Sequence, residues 1–196
     1  PVGFVLDSNG QPGTIVTRAP SQDHIGAVIR GRAAHAGINP EDGINAIQVA
    51  AYAIAQMKVG RIDHETTSNI GIISGGKAVN IVPDSVTIEG EARSLSTEKR
   101  LLQTAQMCYA IEEAAKKYGA VADVLTETLY PDYDLAVDSL PVRIAAEAAR
   151  NLGLESHLVE TGGGSDANLF NSKGIATAVI GIGMKKVHTT EEYIKT

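Results

Sequence analysis

The sequence predicts an α/β unit interrupted by an inserted α+β unit of the split βαβ type. Three observations lead there. Residues 23 to 130 run strand–helix–strand and then strand–helix–strand in their hydrophobic periods. The flanking stretches "PVGFVL" and "GIATAVIGIG" (174–183) are continuous apolar runs, as expected of strands covered on both faces of an α/β sheet. Two proline-bearing stretches, "TRAPSQ" and "LYPDYD", stand where the chain would cross between the two units. The expected division is therefore residues 1–22 with 131–196 in one unit and 23–130 in the other.

The elements follow in order. "HIGAVIRGRA" (24–33) has a strand pattern, and "NPEDGINAIQVAAYAIAQM" (39–57) reads as a helix. Asn39 is placed to cap that helix, with Pro40 at its first position and Glu41 and Asp42 at the positive end of its dipole. Ile44, Ile47, Ala51 and Ile54 would share its buried face. "SNIGIIS" (68–74) is a second strand and "SVTIEGEAR" (85–93) a third, with Val86, Ile88, Gly90 and Ala92 on one side and Thr87, Glu89, Glu91 and Arg93 on the other. A helix from Thr97 to Tyr118 aligns Leu101, Ala105, Cys108 and Glu112, with Leu102 and Tyr109 alongside, so Cys108 reads as a core residue. "GAVADVLTETLY" (119–130) closes an antiparallel four-stranded sheet with both helices on one face. Further on, "SLPVRIAAEAARNLG" (139–153) is a helix ending at Gly153, and "LESHLVET" is a strand.

Composition narrows the function classes. A chain of 196 residues with 43% hydrophobic and 20% charged residues is globular, and a net charge of −6 argues against nucleic acid as a partner. One cysteine excludes an intrachain disulfide and fits a reducing, cytoplasmic compartment. No run of about 18 apolar residues marks a membrane span, and no signal peptide is visible. The opening strand without a predecessor, and the close on "EEYIKT", suggest a fragment of a longer protein.

Four spots could carry chemistry. Asp7 follows an apolar strand, where open α/β sheets bind ligands, although a Ser-Asn-Gly sequence behind it also suits an Asx-turn. "TGGGSDANLF" (161–170) combines three flexible glycines with Ser165 or Asp166 as a helix cap; it is neither a Walker A loop nor a nucleophile elbow. His188, after a buried strand and before Glu191 and Glu192, suits a metal ligand, a general base or an ordinary loop histidine. His35, between two alanines at a strand–helix handover, joins Asn80 and Arg93 as possible donors to a carboxylate or oxyanion, the alternative being three solvated polar residues.

Taken in order, "FVLDSNG…IVTRAPSQDHI", "IRGRAAHAGINPEDGINAI", "GGKAVNIVPDSVTIEGEARS", "TGGGSDANLFNSKGI" and "VHTTEEYI" resemble the dizinc exopeptidase family of peptidase T, carboxypeptidase G and aminoacylase, most nearly its peptidase T-like members. The resemblance implies a catalytic α/β domain, here a remnant, holding two zinc ions, with an inserted ferredoxin-like lid that makes the homodimer. It implies that Asp7 and His188 are zinc ligands. His35 would be the lid histidine that reaches the partner subunit's site, while Asn80 and Arg93 would hold the carboxylate of a small peptide substrate. Gly164 and Ser165 would belong to the loop lining the cleft. An aspartate at position 7 leans towards aminopeptidase or dipeptidase action. The family's His-x-Asp motif, bridging aspartate and paired glutamates have no counterpart here. That leaves about one protein ligand per zinc where a catalytic zinc takes three, and the chain by itself is expected to bind zinc weakly and hydrolyse nothing. Two other classes stay open: a non-catalytic ligand-binding or dimerisation module, and a serine hydrolase using Ser165, His188 and an aspartate.

Overall fold

A computed structural model of the chain describes residues 1–187 and 189–194. The strands are β1 (Val2–Ser8), β2 (Thr14–Ala19), β3 (Ser21–Arg30), β4 (Gly60–Arg61), β5 (Thr66–Gly75), β6 (Ser85–Ser94), β7 (Val121–Tyr130), β8 (Tyr133–Asp134), β9 (His157–Glu160) and β10 (Ala176–Gly181). The helices are α1 (Ala46–Gln56), α2 (Thr97–Tyr118), α3 (Leu140–Asn151) and α4 (Asp166–Ser172). Two compact units result, Gln22–Leu129 and the chain on either side of it. The boundaries fall one residue earlier than the sequence reading puts them.

The inserted unit is the split βαβ fold. Its sheet runs β4-β5-β6-β3-β7, and α1 and α2 pack on it over a core that includes Ile29, Val86, Ile88 and Ile111. The alternation of β6 holds as read, with Val86, Ile88 and Ala92 buried. Gly90 is obligatory there: β5 shifts register between Ile70 and Ile72, and a Cβ on Gly90 would stand 2.6 Å from the Asn69 carbonyl oxygen.

Both helix faces differ from the reading. The helix expected from Asn39 is broken into a 3₁₀ turn at Pro40–Asp42 and α1, because Gly43 is extended. Asn39 caps neither; its side chain donates to Asp42 at 2.8 Å. Asn45 is the true cap, accepting from the Gln48 N–H at 3.1 Å. This resets the helical phase, so α1 buries Ala46, Val49, Ala50 and Ala53 and exposes Ile47. On α2 the buried line is Arg100, Gln103, Thr104, Met107 and Ile111, while Leu101, Leu102 and Tyr109 face outward. The polar members of that line satisfy buried partners: Arg100 and Thr104 bind Asp23, and Gln103 donates to the Lys58 carbonyl. Cys108 is half-buried beside the Ile25–Ala92–Met107 cluster, and burial pushes its thiol up.

In the other unit the sheet order is β1-β10-β2-β8, with β9 also paired to β2. β1 and β10 are parallel, and β2 is antiparallel to β10. Thr17–Ala19 of "TRAPSQ" end a strand, β2, that the sequence reading does not include, and the chain crosses between the units at Ser21 and Gln22, within the same stretch. β10 is buried as expected, but β1 is not covered on both faces: Phe4 is 43% and Leu6 63% exposed. They face an apolar groove shared with Ile144, Leu152 and Leu154.

Tyr133 is buried in this unit's core, and its hydroxyl has no hydrogen-bond partner among the described residues. Burial pushes its phenol up to about 12. Unfolded tyrosine ionises near 10, so this contribution is complete below about pH 10 and lost as pH rises towards the folded value. Tyr133→Phe is expected to flatten that alkaline loss and to raise stability by about 1 kcal/mol at neutral pH. Urea melts at pH 7 and pH 11 test both; a destabilised variant at pH 7 would contradict the unpaired hydroxyl.

Candidate active-site elements

Asp7 lies near the carboxyl end of β1, exposed to a cleft of about 260 Å³. Ser8, Asn9, Gly163, Gly164, Ser165, Met184 and Val187 also line it. β10 turns away at Gly181, and the Ile182 N–H bonds the Ser8 carbonyl at 3.1 Å, which ties the segment ending at Val187 to the Asp7 turn. Position 188 itself, the expected second metal ligand, lies outside the described residues. An exposed carboxylate suits a divalent metal, and among the described residues no three acidic, histidine or cysteine side chains cluster as a metal shell. Further ligands would have to come from elsewhere.

The glycine loop is held from beneath. Ser165 caps α4, accepting from the Ala167 N–H at 3.3 Å, while its own N–H donates to Asn168 Oδ1 at 3.0 Å. A hydroxyl engaged as a cap acceptor is poorly placed to act as a nucleophile. Asn168 is fully buried and also donates to the carbonyls of Pro20 (3.0 Å) and Pro131 (2.8 Å). Nothing in the sequence marks the long-range role of Asn168, since Pro20 and Pro131 lie far from it along the chain. Gly164 meets the Tyr130 ring, where an added Cβ would stand 2.2 Å from the nearest carbon.

In the inserted unit the structure brings His35 and Asn80 together. Their loops form a short antiparallel bridge: His35 opposes Ile81, the Ala36 N–H bonds the Asn80 carbonyl at 2.9 Å, and the Val82 N–H bonds the Ala34 carbonyl at 2.9 Å. Both side chains are exposed. The Gly37 N–H donates to His35 Nδ1 at 3.2 Å, so the neutral ring carries its proton on Nε2 and presents a donor outward. Arg93 is not part of this pair. It sits at the far end of β6, eight residues and roughly 26 Å of strand beyond Ser85. There Glu91 holds it in a two-fold contact, both bonds 2.9 Å.

Residues 22–119 match the peptidase dimerisation domain of the M20 peptidases. The chain belongs to this family. It is 46% identical over 190 residues to "Uncharacterized protein YqjE" of Bacillus subtilis, covering 97% of this chain and 51% of that protein. The crystal structure of an aminopeptidase PepT from Bacillus cereus superposes with a TM-score of 0.90 at 47% identity, over 98% of this chain and 52% of the other. That of a tripeptidase from Staphylococcus aureus gives 0.93 at 42% identity, over 97% and 51%. The chain thus spans about half the length of the relatives it matches. A dinuclear metal-binding M20 peptidase of Bacillus subtilis shares the fold at 23% identity. No helix among the described residues is long and apolar enough to cross a membrane.

Gly164→Ala is expected to destabilise the protein by about 1–3 kcal/mol through overpacking against Tyr130. Tyr130→Ala should relieve most of that penalty in the double variant. Thermal melts of the four combinations measure it, and a penalty undiminished in the Tyr130→Ala background would place the clash elsewhere.

Proposed function

We propose that this chain is part of a zinc-dependent exopeptidase acting on di- or tripeptides as a homodimer. The observation that carries the reading is the His35–Asn80 pair, displayed on an M20 dimerisation domain with an outward Nε2–H. In this reading Asp7 and His188 hold metal, with the remaining ligands and the general base supplied by polypeptide outside these 196 residues. The apolar groove beside Phe4 and Leu6, on a strand that pairs on one side only among the described residues, supports further chain packing there. When bound, the metal pair acidifies a water and polarises the scissile carbonyl. His35 Nε2–H donates to the oxyanion that develops, Asn80 orients the substrate beside it, and Arg93 binds the terminal carboxylate.

His35 and Asn80 lie beside the start of β6 and Arg93 at its other end, so in this reading the two groups serve different active sites of the dimer. The dimer surface of this reading is the open edge of β5. Among the described residues β4 covers β5 only at Thr67 and Ser68, and Ile47, Ile72, Ile73 and Val79 are exposed nearby. An apolar, half-paired edge of this kind is a template for a second strand.

In the complete protein that carries this chain, His35→Ala is expected to lower kcat on a tripeptide about 10²–10³-fold with little change in KM. A chelator should abolish turnover and zinc should restore it. The isolated 196 residues should take up zinc weakly in a calorimetric titration and cleave nothing. Hydrolysis indifferent to chelation would overturn the metal reading, and tight zinc binding by the isolated chain would overturn the shared-ligand reading. Ile72→Lys with Ile73→Lys should convert dimer to monomer in sedimentation; a persistent dimer would move the interface off β5.

A further inference from the structure

Between α1 and α2 of the inserted unit lies a groove of about 680 Å³. Tyr52 and Tyr109 line it, and Tyr118 meets the Tyr52 ring edge-on with centroids 5.6 Å apart. Three of the chain's six tyrosines thus gather at one place, where rings give wide contact at low entropy cost. Lys117 Nζ stands 4.0 Å from the Tyr52 centroid and 5.8 Å from that of Tyr118, and pairs with no carboxylate among the described residues. The rings order this ammonium without neutralising it. Glu113, which also lines the groove, is paired with Lys116 at 3.8 Å. Further along, Gln103 is 3% exposed, and its Nε2 donates to the Lys58 carbonyl at 2.9 Å and to Ser68 Oγ at 3.1 Å. Both amide N–H groups are then taken, and Oε1 is an acceptor without a partner among the described residues, on a residue that lines the groove. Gln106 on the same helix and Gln56 on α1 add two exposed amides.

We propose that this groove binds an extended peptide whose free C-terminal carboxylate sits on Lys117. From Gln103 to Lys117 the helix rises roughly 21 Å, the span of about six residues of extended chain. Gln56 and Gln106 each offer a donor and an acceptor, and Gln103 its Oε1. Such groups match the N–H and C=O that recur along a peptide backbone whatever its side chains. Met57 and Met107 lie on the same groove, and thioethers adapt to apolar side chains of differing shape. The one ordered ammonium fixes the direction of the peptide. It lacks a carboxylate of its own, and a charge-assisted bond to one is stronger than a neutral bond. The groove lies wholly within Gln22–Leu129, uses none of the residues assigned above to metal, oxyanion or substrate, and so is independent of the peptidase reading.

The test uses the complete protein that carries this chain and two probes: the N-acetylated hexapeptide Ac-Ala-Leu-Ala-Leu-Ala-Leu with a free carboxyl, and the same peptide as its carboxamide. The acetyl cap protects both from aminopeptidase action. Calorimetry should show saturable binding, with the acid about tenfold tighter than the amide. Lys117→Met should remove that difference. Tyr109→Ala, at a side chain 63% exposed, should weaken both probes about tenfold with an unchanged melting temperature. Methionine methyl signals locate the probe in the wild type. Met57 and Met107 line the groove and Met184 lines the Asp7 cleft, so the first two should shift and the third should not. Shifts confined to Met184 would put the probe in that cleft and overturn the proposal. So would the absence of saturation up to about 1 mM, or a full acid preference kept by Lys117→Met. A dimer that dissociates on Tyr109→Ala, in a protein that binds neither probe, would make the groove a contact between copies and overturn it as well.

Discussion

The chain leaves one unit and returns to it, and each crossing is anchored by a buried polar side chain. In the inserted unit Asp23 sits at the entry strand and accepts from Thr128 at the exit strand (2.7 Å), from Thr104 (2.7 Å) and from Arg100. In the other unit Asn168 donates to Pro20 at the way out and to Pro131 at the way back. A buried carboxylate is tolerated only when paired and hydrogen-bonded, and removing one partner of such a pair typically costs about 3–5 kcal/mol. The two crossings therefore cannot separate without leaving buried groups unsatisfied.

These anchors also organise the candidate site. Asn168 belongs to α4, whose cap Ser165 closes the glycine loop, so the group that secures the crossing also secures the wall of the Asp7 cleft. Asp23 and Gln22 are near-neighbours on β3. One turns into the helix layer to meet Arg100, and the other turns out to brace Glu91 beneath Arg93. The alternation of a single strand thus sends two adjacent polar residues to opposite faces of the sheet. At the other end of β6 no buried polar group is used. The loops of His35 and Asn80 are joined there by backbone bridges, and both side chains are exposed.

Where the sequence misleads, the cause is tertiary. An apolar stripe on α2 points to Leu101 and Leu102 as core, yet the core takes Arg100, Gln103 and Thr104, because the buried partners Asp23, Ser68 and the Lys58 carbonyl lie on that side. No periodicity can see those partners. Asn39, Pro40 and two acids form a complete start signal one cap too early for α1; the extended Gly43 cancels it, and Asn45 begins the helix afresh. His35, Asn80 and Arg93 group together by chemistry, while the length of β6 separates the last from the first two.

The sequence by itself determined the split βαβ order, the extent of α2, the alternation of β6, and the residues whose motifs mark an M20 dimerisation domain. These depend on local period, capping and turn chemistry, which adjoining residues carry between them. Only the tertiary structure decided which helix faces are buried, that Ser165 and not Asp166 caps α4, that His35 presents Nε2–H, and that Glu91 grips Arg93. Each of these depends on a hydrogen-bond partner or a neighbouring strand brought close by the fold, or on the side-chain geometry it selects, and spacing along a chain does not encode that proximity.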